Sequence, residues 1–132
     1  MAIELEDLCE LRLLPIEPPP SVRPGGGLAG SSYERGAGSV KGSRLTGTLK
    51  YSQHTRTGAD GRGHIRLDAL LTTAAGQLVS MHAEGPATAD GNGVLTVTFV
   101  AQDVAFTWLN EVIGHGRLSD SPEGDRAISV QA

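Results

Sequence analysis

His64-Ile65-Arg66-Leu67-Asp68-Ala69-Leu70-Leu71-Thr72-Thr73-Ala74-Ala75-Gly76-Gln77-Leu78-Val79-Ser80-Met81-His82-Ala83-Glu84 reads as two strands and the turn between them. Thr73-Ala74-Ala75-Gly76-Gln77 fits a three-residue connection in which two right-handed residues are followed by a left-handed glycine. If Thr73 pairs with Gln77, antiparallel pairing sets Leu70 opposite Ser80, Asp68 opposite His82 and Arg66 opposite Glu84. Ile65, Leu67, Ala69, Leu71, Val79, Met81 and Ala83 then share one face, and His64, Arg66, Asp68, Ser80, His82 and Glu84 the other. A register one residue different would destroy that segregation, so pattern and turn support each other.

Outward from this hairpin the same grammar repeats. Eighteen glycines punctuate short segments rich in Val, Ile, Leu and Thr. Strands are expected at Ile3–Leu13, Ser32–Val40, Arg44–His54, His64–Thr73, Gln77–Gly85, Val94–Ala101, Phe106–His115 and Ala127–Val130. Helical periodicity is almost absent, and Val112 and Ile113 are β-branched with Gly114 and Gly116 close behind, which favours a strand there too. Eight short strands make a sandwich or a closed barrel, and closure removes exposed edges. The expected fold is therefore an all-β, small antiparallel barrel of about eight strands, one domain over residues 1–132. Residues 15–30, with Pro18-Pro19-Pro20 and Gly25-Gly26-Gly27, read as a long surface loop, either a lid or a connector.

Composition excludes several classes of function. A formal net charge of -4 and scattered Lys and Arg give no footprint for nucleic acid, and five aromatic residues are too few for a base-stacking surface. No apolar run is long enough for a membrane span, and the acidic start Met1-Ala2-Ile3-Glu4 lacks the basic and apolar parts of a secretory signal, which points to the cytoplasm. The single cysteine, Cys9, sits in an apolar strand pattern and reads as a buried, inert thiol. His54, His64, His82 and His115 lack metal-motif spacing, so no metal is expected. Gly58-Ala59-Asp60-Gly61-Arg62-Gly63 precedes no helix and is a hairpin loop, not a phosphate loop or dinucleotide fingerprint, so no cofactor is expected. No serine stands in a nucleophile elbow.

The polar face of the hairpin has two readings. In one it is wet, and Arg66–Glu84 and Asp68–His82 are ordinary cross-strand pairs. In the other it lines a cavity: Asp68 orients His82 as a general acid or base, Arg66 holds a carboxylate or enolate oxygen, and Glu84 and His64 complete the wall. Trp108 and Asn110, two apart on a strand, form either an aromatic wall with an orienting amide or a core tryptophan with a rim asparagine. Tyr51 and Tyr33 would shape the same cavity.

Ser39-Val40-Lys41-Gly42-Ser43-Arg44-Leu45-Thr46-Gly47-Thr48, Leu67-Asp68-Ala69 and Phe106-Thr107-Trp108-Leu109-Asn110 together resemble the bacterial and fungal family of unknown function DUF 3237, also called UPF 0311. The resemblance runs from the first strand to near the C-terminus and implies a lipocalin-like or allene-oxide-cyclase-like barrel, without supplying a reaction. Asp68, Trp108 and Asn110 match the family pattern. Where the family carries Asp-Trp after its central glycine-rich strand this chain has Gln53-His54-Thr55-Arg56, and where an Arg-Tyr follows Leu-Asp-Ala it has Leu70-Leu71, so a shared substrate is not implied.

Three functions follow as alternatives: a cofactor-independent isomerase, cyclase or lyase acting on a small hydrophobic oxygenated molecule; a non-catalytic barrel that binds such a ligand; or a structural oligomer subunit. An enzyme needs ionisable groups converging in a concavity, a carrier an apolar cavity, and a structural subunit a filled barrel. Low aromatic content and short strands favour a homodimer or higher homo-oligomer.

Overall fold

The computed structural model describes residues 7–15, 21–22, 30–58, 62–88, 92–120 and 126–132. Among them nine strands run in chain order: β1 (Asp7–Pro15), β2 (Ser21–Val22), β3 (Gly30–Lys41), β4 (Gly47–Thr57), β5 (Gly63–Thr73), β6 (Leu78–Ala87), β7 (Gly93–Ala101), β8 (Ile113–Asp120) and β9 (Arg126–Gln131). From β3 to β9 each strand pairs antiparallel with its successor. β1 pairs with both β9 and β3, which closes an eight-stranded barrel, and the two-residue β2 lies on the outer edge of β3. All but a short part of the loop expected over 15–30 lies outside the described residues, as do residues 3–6 of the expected first strand.

The β5–β6 hairpin has the register the turn dictates: Arg66 faces Glu84, Asp68 faces His82 and Leu70 faces Ser80. Thr73 donates its backbone N–H to the Gln77 carbonyl at 2.9 Å, and Gly76 takes φ +89°. The Thr73 hydroxyl donates to the Gln77 side chain and accepts from the Gln77 N–H, which ties the turn a second time.

Alternation decides inside from outside. Ile65, Leu67, Leu71, Val79 and Ala83 are fully buried, and with Leu11, Leu13, Leu95, Val97, Leu118 and Ile128 they fill the barrel. Arg66, Asp68 and Glu84 are exposed. The polar face of the hairpin is thus the outer wall of the barrel, because the apolar stripes of every strand converge on a single core.

One end is closed by a 3₁₀ helix, Val104–Glu111, where the sequence pattern suggested the first half of a strand over Phe106–His115. Asp103 starts it: its carboxylate accepts from the Ala105 N–H at 2.9 Å and its carbonyl from Phe106 N–H at 2.9 Å. Phe106, Leu109 and Val112 recur every third residue, the spacing at which 3₁₀ side chains eclipse, and all three pack on the core, Leu109 with no exposure. Asn110 follows the helix back to the sheet: its Oδ1 accepts from Ala101 N–H at 2.7 Å and its Nδ2 donates to the Ala101 carbonyl at 2.9 Å. The amide stands in for a neighbouring strand where β7 ends. The β-branched pair Val112-Ile113 does mark the true start of β8. Among the described residues no helix is long and apolar enough to cross a membrane.

Candidate functional site

On β4 the inward positions are Leu49, Tyr51, Gln53 and Thr55, so the apolar stripe gives way to polar side chains toward the end of the barrel opposite the 3₁₀ helix. Across the β3–β4 ladder Gly36 faces Tyr51, Glu34 faces Gln53 and Ser32 faces Thr55. Tyr51 is 5% exposed and Gln53 4%. The Tyr51 hydroxyl donates to Glu34 Oε2 at 2.7 Å. Gly36 makes that reach possible, since a Cβ there would stand 2.7 Å from Tyr51 Cε1 and 2.8 Å from its hydroxyl oxygen. Beyond β1, two strands from β3, Arg126 stands in line with Ile128 and Val130 on the inward side of β9.

These groups condition one another. Burial first, then the hydrogen bond to Glu34 and its negative charge, push the Tyr51 phenol far above its ordinary range, while the Arg126 charge acts in the opposite sense. At neutral pH Tyr51 is therefore a protonated donor and not a base. Gln53 Nε2 donates to Thr55 Oγ1 at 3.2 Å, whereas Gln53 Oε1 is buried with no hydrogen-bond partner. A buried acceptor left open costs about 1–3 kcal/mol, a cost that calls for an explanation beyond packing.

The residues singled out in the sequence are distributed differently. His82 Nδ1 meets Asp68 Oδ1 at 2.7 Å, the pairing foreseen from the turn, but the side chains are 39% and 62% exposed, on the outside of the barrel. Of the two readings of this face, the wet one fits these exposures. The Glu84 carboxylate lies 3.5 Å from His64 Nε2 and 3.8 Å from His82 Nε2. Arg66 stands opposite it in register. In the register the dyad belongs to a row running Ser52, Asp68, His82, Thr98 across four strands. Lys50, Leu70, Ser80 and Val100 form the next row, and the two rows line a shallow outer groove of about 440 Å³.

Tyr33 is also outside, its ring stacked on His54 with centroids 4.3 Å apart and planes 2° from parallel. Trp108 packs at the capped end, where its indole N–H donates to the Ala105 carbonyl at 3.1 Å and the Arg44 guanidinium carbon lies 3.7 Å from its ring centroid. Trp108 and Asn110 do not share a strand face, and Asn110 uses both amide atoms on the backbone of β7. Of the nine residues proposed from sequence only Tyr51 enters the barrel. Glu34, Gln53, Thr55 and Arg126 were missed, although the run Leu49-Tyr51-Gln53-Thr55 carries the signal: in a barrel strand an apolar stripe that turns polar at one end marks a lined mouth or cavity. Among the described residues no three His, Cys, Asp or Glu side chains cluster as a metal site requires.

No family model matches the sequence, and no curated protein is found similar to it. Solved structures do match. A β-barrel-like protein from Acinetobacter baumannii AYE superposes with a TM-score of 0.83 at 16% identity over 97% of this chain and 94% of that one. A protein described as an enzyme from Penicillium herquei gives 0.78 at 18% identity over 96% and 93%. A protein of unknown function from Clostridium acetobutylicum gives 0.83 at 11% identity over 98% of both. At these identities the likeness is one of fold, and the fold shared is the closed antiparallel β-barrel.

Proposed function

We propose that the protein is a cytoplasmic small-molecule-handling barrel of the DUF 3237 kind, which binds an oxygenated apolar molecule at the Glu34–Tyr51–Gln53 end and exchanges a proton with it. The observation that carries this reading is the Tyr51–Glu34 hydrogen bond on inward positions, beside a buried amide oxygen with no protein partner. A core built for stability alone would fill these positions with Leu or Val. The pair suits isomerase, cyclase or lyase chemistry: Tyr51 offers a proton to a ligand oxygen that gains charge, and the Glu34 carboxylate accepts one from carbon or oxygen. A barrel that binds the same ligand without turning it over uses the same contacts. That one similar barrel is described as an enzyme is in keeping with the catalytic form.

A second reading puts the ligand outside, in the groove that holds His82 and Asp68, favoured by their 2.7 Å contact. There His82 would move the proton. Its openness to solvent makes it the weaker site, since water competes for every polar contact.

A thermal-shift screen of small hydroxylated and carbonyl compounds on the native protein, Glu34→Gln, Tyr51→Phe and His82→Ala separates the two. The inner site predicts compounds whose stabilisation disappears in Glu34→Gln and Tyr51→Phe and survives in His82→Ala. The reverse pattern assigns the outer groove, and stabilisation indifferent to all three variants refutes both.

A further inference from the structure

Exposed hydrocarbon is not spread evenly over the outside of the barrel. Leu70, Leu78, Val100 and Ile113, from 44% to 67% exposed, are four of the eight large apolar side chains left in solvent among the described residues. The register makes them neighbours. Leu70 and Val100 flank Ser80 in one row across β5, β6 and β7. Leu78 is two residues along β6 from Ser80 and so diagonal to both, and Ile113, opposite Thr98, is diagonal to Val100. Diagonal neighbours on one sheet face lie about 7–8 Å apart, within reach of longer side chains. Only the hydroxyls of Thr72, Ser80 and Thr98 interleave, so the patch holds no charge. An uncharged apolar patch with a polar rim is the anatomy of a protein–protein contact.

Charge and symmetry select the partner. The exposed outward positions of β3 and β4 carry Arg35, Lys41, Lys50 and Arg56 with no carboxylate, so two copies repel there. Around the patch the rim is mixed in sign, with Lys50 and Arg66 on one hand and Asp68, Glu84 and Glu111 on the other. A strongly acidic or basic partner gains on one part of such a rim what it loses on another, whereas a second copy carries the same mixture. A twofold axis parallel to the strands and between β6 and β7 exchanges the two halves of the patch. It sets β5 of one copy over β8 of the other and β6 over β7, which brings Leu70 toward Ile113 and Leu78 toward Val100. We propose that this face seats a second copy of the chain, making the protein a homodimer joined through the outer faces of β5–β8. Four strands about 4.8 Å apart and about 30 Å long offer on the order of 600 Å² in plan, the scale of the ~800 Å² each partner gives to a standard interface. The same contact roofs the groove beside His82, whose walls include Leu70 and Val100.

Sedimentation velocity on the intact protein from about 1 to about 100 µM is the test, with the dimer expected to predominate toward the upper end. Val100→Glu and Ile113→Lys, both at exposed positions, are each expected to weaken self-association at least about thirtyfold, the effect of losing an interface hot spot. Val94→Glu is the control: Val94 is 58% exposed but near the opposite end of β7, and the dimer is expected to survive its substitution. Circular dichroism melts confirm that each variant keeps the barrel, and if one of the two patch variants does not fold the other decides. A native protein that stays monomeric throughout the range overturns the proposal. A dimer that persists in Val100→Glu and Ile113→Lys, or that Val94→Glu weakens as much, overturns the assignment of this face.

Discussion

At the scale of the residue, Tyr51 and Asn110 are two polar side chains used in opposite ways. Asn110 is structural: both amide atoms bond the Ala101 backbone at the end of β7. Asn110→Ala is expected to lower stability by about 1–2 kcal/mol, read as a denaturation midpoint, with no effect on ligand response. Tyr51→Phe is expected to change stability by no more than about 1 kcal/mol, since the ring still fills its place and the partner Glu34 is only half-buried, while removing the ligand-dependent stabilisation. Cys9 behaves as its sequence context implies. It is 6% exposed, and burial pushes its thiol from its ordinary 9.0 to about 12. A folded-state pKa raised for an acid means that the unfolded chain loses its proton first, so the contribution is complete below pH 9 and is lost as pH rises toward 12. Each pH unit within that window removes about 1.4 kcal/mol. Cys9→Ala should flatten the alkaline fall in stability, and the native thiol should resist iodoacetamide at pH 8.

At the scale of the element, the β5–β6 hairpin was legible because turn chemistry and alternation are both local, and Gly76 with its φ of +89° is where they meet. Gly76→Ala should cost about 1 kcal/mol. The 3₁₀ helix was not legible as such. Its residues Phe106 and Leu109 and its C-cap Val112 keep a period of three that neither the strand nor the α-helix template detects, and its capping by Asp103 depends on a backbone turn invisible to composition. Nor could the sequence settle which face of the hairpin points inward. Every strand is half apolar, and the inside is decided only when all the apolar stripes converge, which sent His82 and Asp68 outward and left Tyr51 within. Gly36 marks a crowded crossing of β1, β3 and Tyr51. A methyl group there would also stand 2.2 Å from the Leu14 carbonyl oxygen, so Gly36→Ala should both part β1 from β3 and displace Tyr51, lowering the unfolding midpoint and the ligand response together.

At the scale of the whole molecule, β1 closes the barrel by pairing with β9 on one side and with Gly36–Lys41 of β3 on the other. Its core is one contiguous cluster reaching from Cys9 to Val130. Unfolding should therefore follow a single transition, with far-ultraviolet and near-ultraviolet circular dichroism superimposing through it. Separate transitions would mean that the capped end and the Tyr51 end hold together independently. The pairings that close the barrel join segments far apart in sequence, so folding should take milliseconds to seconds rather than microseconds.

Trp108, the only tryptophan, lies under Arg44 at the end sealed by the 3₁₀ helix, whereas Tyr51 and Gln53 lie toward the other. The chain therefore carries a fluorophore set apart from the place where a guest would sit. Indole emission will follow the loss of the fold and stay quiet as the Tyr51 end fills, so a titration and a melt can be read in one cuvette without either signal contaminating the other.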